Sequence, residues 1–401
     1  MKINSSKAVM VLFLMVMILL PFSRYTELPI LCLSIMGIYA LIKHANTLKR
    51  SNQFKILSLV YLCYLLMILF SATDSYWQDK TLLVALASLR FYLSTVALLI
   101  YLKREHFKLL VKLIAFLIVF WSFDAIIQYF VGIDLVGRSS YVGRLNGIFG
   151  EHHVKLGPVL ALLLPIVMIA LKKHNSVIRW LLTLVIIITI ILSGTRSAWI
   201  MMLFTLVAYW FHHVKQRRFL LLLKAFAVTV VLLVSLWFIS PEFQQRIERS
   251  VKAFDGSQAG LDFALADRLS IWKTSWAMIQ QHPINGVGAH AFREAYPQFA
   301  SQDDYWQQKK KKGVGMHAHH WLLEVLSETG IIGLILFVFA LVKLMRFVRS
   351  HYNGDYSWAF LIALSSAFLP ITSLYSIFAS FWSICIWFCG AGLIIMSNND
   401  D

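Results

Sequence analysis

Three histidines fall within four residues in MHAHHWLLEVLSETGIIGL, the stretch from Met316 to Leu334, and an apolar run follows them directly. Imidazoles at such a place admit three chemistries. His317 and His319 form an HxH pair which, with a third donor such as His290, has the atoms for a zinc-type site; so does His320 with Glu324 one turn on. Neither has the second anchored motif that accompanies zinc spacings. A single imidazole just outside a helix start, within reach of a hydroxyl, suits a general base at neutral pH. Solvated residues at a membrane interface are the third reading. No GxSxG elbow, Walker loop or dinucleotide-binding glycine fingerprint occurs, so soluble-nucleotide chemistry has no support.

The second group with chemical potential is cationic. SGTRS (Ser193–Ser197) is a very short turn between two apolar runs with Arg196 near its centre, and a turn that tight leaves the guanidinium little freedom. Leu265, Leu269, Trp272, Trp276 and Ile279 are spaced by four, three, four and three, which predicts one helix with Arg268 at the edge of its apolar stripe. GRSSYVGRLNGIFGEHH adds Arg138, Arg144, His152 and His153. Each arginine has two readings, a side chain snorkelling to water or lipid phosphate, or a planar fork for phosphate or carboxylate. In HPINGVGAHAF, Gly286 and Gly288 permit tight turns or close backbone approach to a ligand. The run Lys309–Lys312 reads first as a solvated face, and Tyr305 and Trp306 as sugar platforms or interfacial aromatics.

The elements that must position these groups lie in a membrane. The chain is 59% hydrophobic and 14% charged, which excludes an ordinary soluble domain. Its net charge of +17 is read by position and gives no case for nucleic acid, because lysines and arginines collect on cytoplasmic loops. With about 20 apolar residues per span, the sequence predicts an all-α membrane protein of about twelve helices. These fall near Ala8–Phe22, Leu28–Ile42, Ile56–Ser71, Leu82–Leu102, Leu109–Val131, Val154–Leu171, Ile178–Leu192, Ala198–Phe211, Leu220–Phe238, Trp321–Val342, Trp358–Leu374 and Phe378–Met396. Basic loops carrying Lys49 and Arg50, Lys103 and Arg104, Lys172 and Lys173, Arg217 and Arg218, then Arg346 and Arg349, alternate with sparsely basic ones and place both termini in the cytoplasm. The first run has a charged start, but PFSRYTELP offers no small-x-small cleavage site, so it reads as an anchor.

Residues 1–238 thus form helices one to nine, 239–320 a single long outer loop, and 321–401 the last three helices, as one integrated membrane domain. Within the loop, Phe243, Ile247, Val251 and Phe254 predict an amphipathic helix along the membrane surface. Cys32, Cys63, Cys385 and Cys389 all fall inside predicted helices and read as packing residues. Arg90 and Asp124 are expected about 11–12 Å deep on adjacent helices, where an ion pair would spare each the cost of a lone buried charge. The absence of internal repeats and of paired interrupted helices argues against a secondary transporter.

SGTRSAW, ADRLSIWKTSW, PINGVGAHAF and AHHWLLEVLSETGIIGL, in that order over about Arg144 to Gly333, resemble the O-antigen ligase and polymerase superfamily. That resemblance implies a GT-C-like bundle with one long periplasmic loop in the inner membrane. It further implies transfer of a glycan from undecaprenyl diphosphate to a sugar of lipid A-core, without cofactor or metal. His319 aligns with the family histidine, although His320 stands where the family usually has Asn. The resemblance makes His319 the base for the acceptor hydroxyl and gives the donor diphosphate to Arg196 and Arg268, with Arg144 and His317 in support. A polysaccharide polymerase and a protein O-oligosaccharyltransferase share this donor, and a lipid-linked glycan transporter is the reading from another class.

Overall fold

The computed structural model describes residues 5–140, 144–150, 154–213, 234, 237–238, 240–309, 317–369 and 375–397. His152, His153, Lys310, Lys311, Lys312 and most of the expected helix Leu220–Phe238 lie outside them. The described chain is helical, as hydrocarbon demands of a backbone that must satisfy its own hydrogen bonds. The apolar runs become α1 (Ser5–Leu19), α2 (Glu27–Lys43), the short α3 (Ala45–Arg50), α4 (Asn52–Ser71), α5 (Gln78–Tyr101), α6 (Arg104–Val131), α7 (Leu156–Ala170), α8 (Ser176–Leu192) and α9 (Arg196–His213). Then come α10 (Pro241–Val251), α11 (Gln258–Ala264), α12 (Leu269–Gln281), α13 (Phe292–Phe299), α14 (Tyr305–Lys309), α15 (Trp321–His351), α16 (Gly354–Ala367) and α17 (Ser380–Met396). Among the described residues, 6 helical segments are long and apolar enough to cross a membrane, and α7, α8 and α17 are shorter apolar helices. This is a multi-pass, all-α membrane protein.

The chain divides into two compact units, one of Met1–Ile114 with Leu269–Asp401, the other of Ala115–Arg268. In the first, α2 and α5 lie side by side. Gly37 leaves no room for a Cβ against the Leu93 carbonyl, and the Ser34 hydroxyl donates to the Arg90 carbonyl at 3.1 Å. This approach carries Glu27 to Arg90, whose guanidinium sits 2.9 Å from the carboxylate and donates to the Ser380 hydroxyl at 2.6 Å. The expected Arg90–Asp124 pair is therefore corrected. Chain order suggested the next helix as partner, but close packing selects α2. Asp124 instead accepts from the amides of Leu135 and Ile148, each at 2.8 Å.

The defining feature of the first unit is a break in α15. Gly330 adopts φ 63° and ψ −165°, so the helix stops and restarts there. The freed groups are met by the 283–288 loop: the amides of Val287 and Gly288 donate to the carbonyls of Ser327 and Glu328 at 2.8 and 2.9 Å, and those of Ile331 and Ile332 donate to Pro283 and Ile284 at 2.9 and 3.2 Å. Gly286 and Gly288 do permit close approach, and what approaches is protein: a Cβ on Gly286 would strike the backbone of Glu328 and Thr329, and one on Gly288 the side chain of Ser75. The loop also reaches the turn after α4, where Tyr76 donates to Val287 at 2.9 Å and Ala289 to the Ser71 hydroxyl at 3.0 Å.

In the second unit α7 is buried at all 15 positions, and the α8–α9 hairpin packs on it, with Gly157 close against Ser193. Asp124 and Gln128, one turn apart on α6, organise the loop that carries Arg138 and Arg144. Gln128 accepts from the Gly147 amide at 2.8 Å and donates to the Arg138 carbonyl at 3.1 Å. The segment expected as an amphipathic helix forms α10, which ends at Val251. Its Phe243 is buried, joining Ile191 and Trp199, whereas Phe254, beyond its end, is 88% exposed. The four cysteines are free thiols, three of them buried.

The loop and the break make a paired prediction. Gly286→Ala and Gly137→Ala both place a side chain at positive φ, 69° and 83°, but only Gly286 has backbone against its Cβ position. Left-handed strain alone costs about 1–2 kcal/mol, so Gly137→Ala should keep near-normal folded yield while Gly286→Ala loses most of it, as measured by size-exclusion recovery in detergent.

Candidate functional site

The cationic cluster of the second unit is built from a helix end, a helix start and a strained turn. Helix α8 stops at Leu192, and Gly194 takes φ 64°, the left-handed closure that glycine supplies without strain. The next turn begins α9 with Arg196. A cation at a helix N-terminus opposes the local dipole, so this placement favours an anion that would answer both. Arg196 donates to the Ser250 hydroxyl of α10 at 3.2 Å, and the Arg246 guanidinium lies over Gly194.

Arg268 is corrected in its setting. The expected helix from Leu265 to Ile279 is interrupted, because Ala266 and Asp267 both adopt positive φ, 62° and 59°, and α12 begins only at Leu269. Its buried face is Ile271, Thr274, Ser275 and Met278, while Trp276 is 54% exposed. Arg268 therefore projects from a turn. Two consecutive left-handed residues, one of them alanine, store strain of a kind associated with functional sites. The turn is held by Arg249, which sequence reasoning missed. Arg249 donates to the Phe263 carbonyl at 2.6 Å and pairs with Asp267 at 3.4 Å. The available signal was the helical position of Arg249, which puts it on the side of α10 opposite Phe243 and Ile247.

The charge of Arg144 acts on both Arg196 and Arg268. Burial holds Arg268 down to about 10, with the charges of Arg196 and Arg144 adding to the shift. Burial, then Arg249 and Arg144, lower Arg196. Arg196 and Arg268 remain cations at neutral pH, and among the described residues Arg268 has no ion pair. Desolvated guanidiniums that repel one another form a site whose free energy falls when an anion enters.

The histidines belong to the first unit. His319 has φ 52°, and its ring centroid lies 3.9 Å from that of His317. His320 caps α15 in extended conformation, meets Trp272 edge to face at 6.1 Å, and is lowered in pKa by burial. The Trp272 indole fixes the same segment by donating to the Ala318 carbonyl at 3.0 Å. Glu324 is fully buried one turn on, close to Ser376 and the Ile377 amide. His290, the third donor of the metal reading, is engaged elsewhere: its amide donates to the Glu328 carboxylate and its Nε2 accepts from Arg293 at 3.0 Å. Among the described residues no group of three His, Cys, Asp or Glu side chains is arranged to hold a metal. Trp306 packs against the apolar cluster of Phe292 and Tyr296, and so is a core residue of the loop.

Burial, then the charges of Arg293 and Lys80, depress His290 to about 4 from 6.5. The unfolded chain thus binds the extra proton more readily, so this stabilisation is complete above about pH 6.5 and is lost as pH falls through about 4. The unfolding temperature in detergent should drop across that window, and His290→Asn, which tolerates the left-handed backbone, should flatten the drop in a pH series.

Comparison with known families gives one finding: residues 181–338, from α8 through Arg196, Arg268 and His319 into α15, match the family described as O-antigen ligase. No curated protein matches the chain. The match points to a membrane glycosyltransferase of the O-antigen ligase or polymerase kind, acting on lipid-linked substrates.

Proposed function

With the O-antigen ligase match as premise, we propose that the protein moves O-antigen glycan from undecaprenyl diphosphate to a sugar hydroxyl of lipid A-core, on the periplasmic face of the inner membrane, with both termini cytoplasmic. The observation that carries this reading is the pair of buried arginines, Arg196 and Arg268, each under the charge of Arg144, which suits a diphosphate. That face has no supply of nucleotide sugars, so the donor must arrive already activated on its lipid. The acceptor oxygen attacks the anomeric carbon as the bond to the diphosphate oxygen breaks, inverting that centre in one displacement. His319 takes the hydroxyl proton, and undecaprenyl diphosphate leaves with its charge met by Arg196 and Arg268 in place of a metal ion. Arg144 assists at the diphosphate. His317, against whose ring His319 lies, orients its neighbour.

His319→Ala should lower transfer by about 10²–10⁴-fold, the usual worth of a general base, while the protein still binds donor, and His320→Ala should be milder. Full activity in His319→Ala, or equal loss in both, removes the assignment. Purified protein given lipid-linked glycan with core lipid A, a lipid-linked repeat or a pilin-like protein reports the acceptor class directly, and core lipid A is the one expected to gain glycan.

Arg196→Lys and Arg268→Lys should each impair transfer, since a point charge does not reproduce the guanidinium fork. Activity should survive chelator. Loss in EDTA with recovery on adding a divalent ion would contradict the metal-free mechanism.

A further inference from the structure

Two cavities of the first unit meet at one side chain. The first, of about 210 Å³, is lined by Lys80, Arg90, His290, Ser88 and Ser380 together with Tyr64. The second, of about 130 Å³, is almost wholly apolar and is also lined by Tyr64. It follows α4 from Met67 to Leu57 and α17 from Ser383 to Ile394, which at 1.5 Å per residue is roughly 15 Å. That is about half the hydrocarbon thickness of a bilayer, the depth of one leaflet. Leu341, 40% exposed, stands on its rim, so the cleft borders the space that lipid occupies.

The charges in the polar cavity can be counted. Arg90 is neutralised by Glu27 at 2.9 Å. His290 has its Nε2 occupied by Arg293, whose guanidinium lies over the Trp77 ring and does not line the cavity. Of the cations lining this cavity, Lys80 is the one without an ion pair among the described residues; its ammonium lies 5.9 Å from the Trp77 ring. A phosphodiester carries a single negative charge and matches it, whereas a lipid diphosphate would bring at least twice that charge to one lysine. We infer that the first unit holds an anionic phospholipid of the phosphatidylglycerol type, with its phosphate on Lys80 and an acyl chain in the cleft between α4 and α17. This site is built from first-unit residues alone and does not rest on the transferase reading.

Gly390 provides a clean test, because it lines the cleft and has open space where a Cβ would stand, so a larger residue fills the slot without displacing neighbours. The protein is delipidated, offered phosphatidylglycerol or zwitterionic phosphatidylcholine, and examined by native mass spectrometry. Wild type should retain one phosphatidylglycerol with about tenfold preference over phosphatidylcholine. Lys80→Gln should erase that preference with an unchanged unfolding temperature in phosphatidylcholine, Lys80→Arg should keep it, and Gly390→Leu should lower retention of both lipids. A phosphatidylglycerol preference that survives Lys80→Gln, retention unaffected by Gly390→Leu, or displacement of the bound lipid by equimolar undecaprenyl phosphate would each overturn the inference.

Discussion

A helix that breaks inside a membrane protein exposes carbonyls and amides that hydrocarbon cannot satisfy. In this protein the break at Gly330 is closed by the 283–288 loop, whose amides and carbonyls take the places of the missing intrahelical partners. The loop does more than fill a gap, because it carries His290, whose amide reaches the Glu328 carboxylate. The loop, the break and the turn after α4 thus form a single hydrogen-bonded node, and the histidine segment 317–320 enters α15 ten residues before it. Without that node neither the direction of the first half of α15 nor the position of its histidine cap would be fixed.

The second unit meets the opposite problem, keeping cations where solvation is poor. Arg249 does this by neutralising Asp267 and by gripping the Phe263 carbonyl, so that a turn with two residues in left-handed conformation persists and Arg268 projects from it. The strain is local and the compensation comes from α10, an element whose apolar face is anchored through Phe243 against Trp199. Surface helix and arginine turn are therefore one device: the apolar side of α10 fixes its place, and its polar side shapes the cluster.

Much of this was legible in the sequence because it is local. Apolar runs gave the helices, and the shortness of SGTRS marked Arg196 as restrained, which Gly194 and the start of α9 bear out in the geometry. Periodicity fails between Leu265 and Leu269 because Ala266 and Asp267 are not residues whose type announces positive φ, and α12 buries Ile271, Thr274, Ser275 and Met278 in place of the expected stripe. Arg90 found Glu27 because a glycine and a serine let α2 approach α5, a pairing that helix order does not reveal. The glycines of PINGVG permit close approach, but Gly286 meets Glu328 far ahead in the chain and Gly288 meets Ser75 far behind, beyond any local pattern.

The loop's long reach also sets an order of events during synthesis. The Ser71 hydroxyl and the Ala289 amide that it receives are separated by 218 positions, so the turn after α4 emerges long before its partner exists. At about 5–20 residues per second, that interval is roughly 10–40 s. Throughout it the nascent chain must hold α4 and α5 in the bilayer with their connecting turn unclosed, and everything made meanwhile, including the whole second unit, is inserted while the first unit still lacks the segment that completes it. The first unit is therefore the last part of the molecule able to finish folding, although it contains the residues made first.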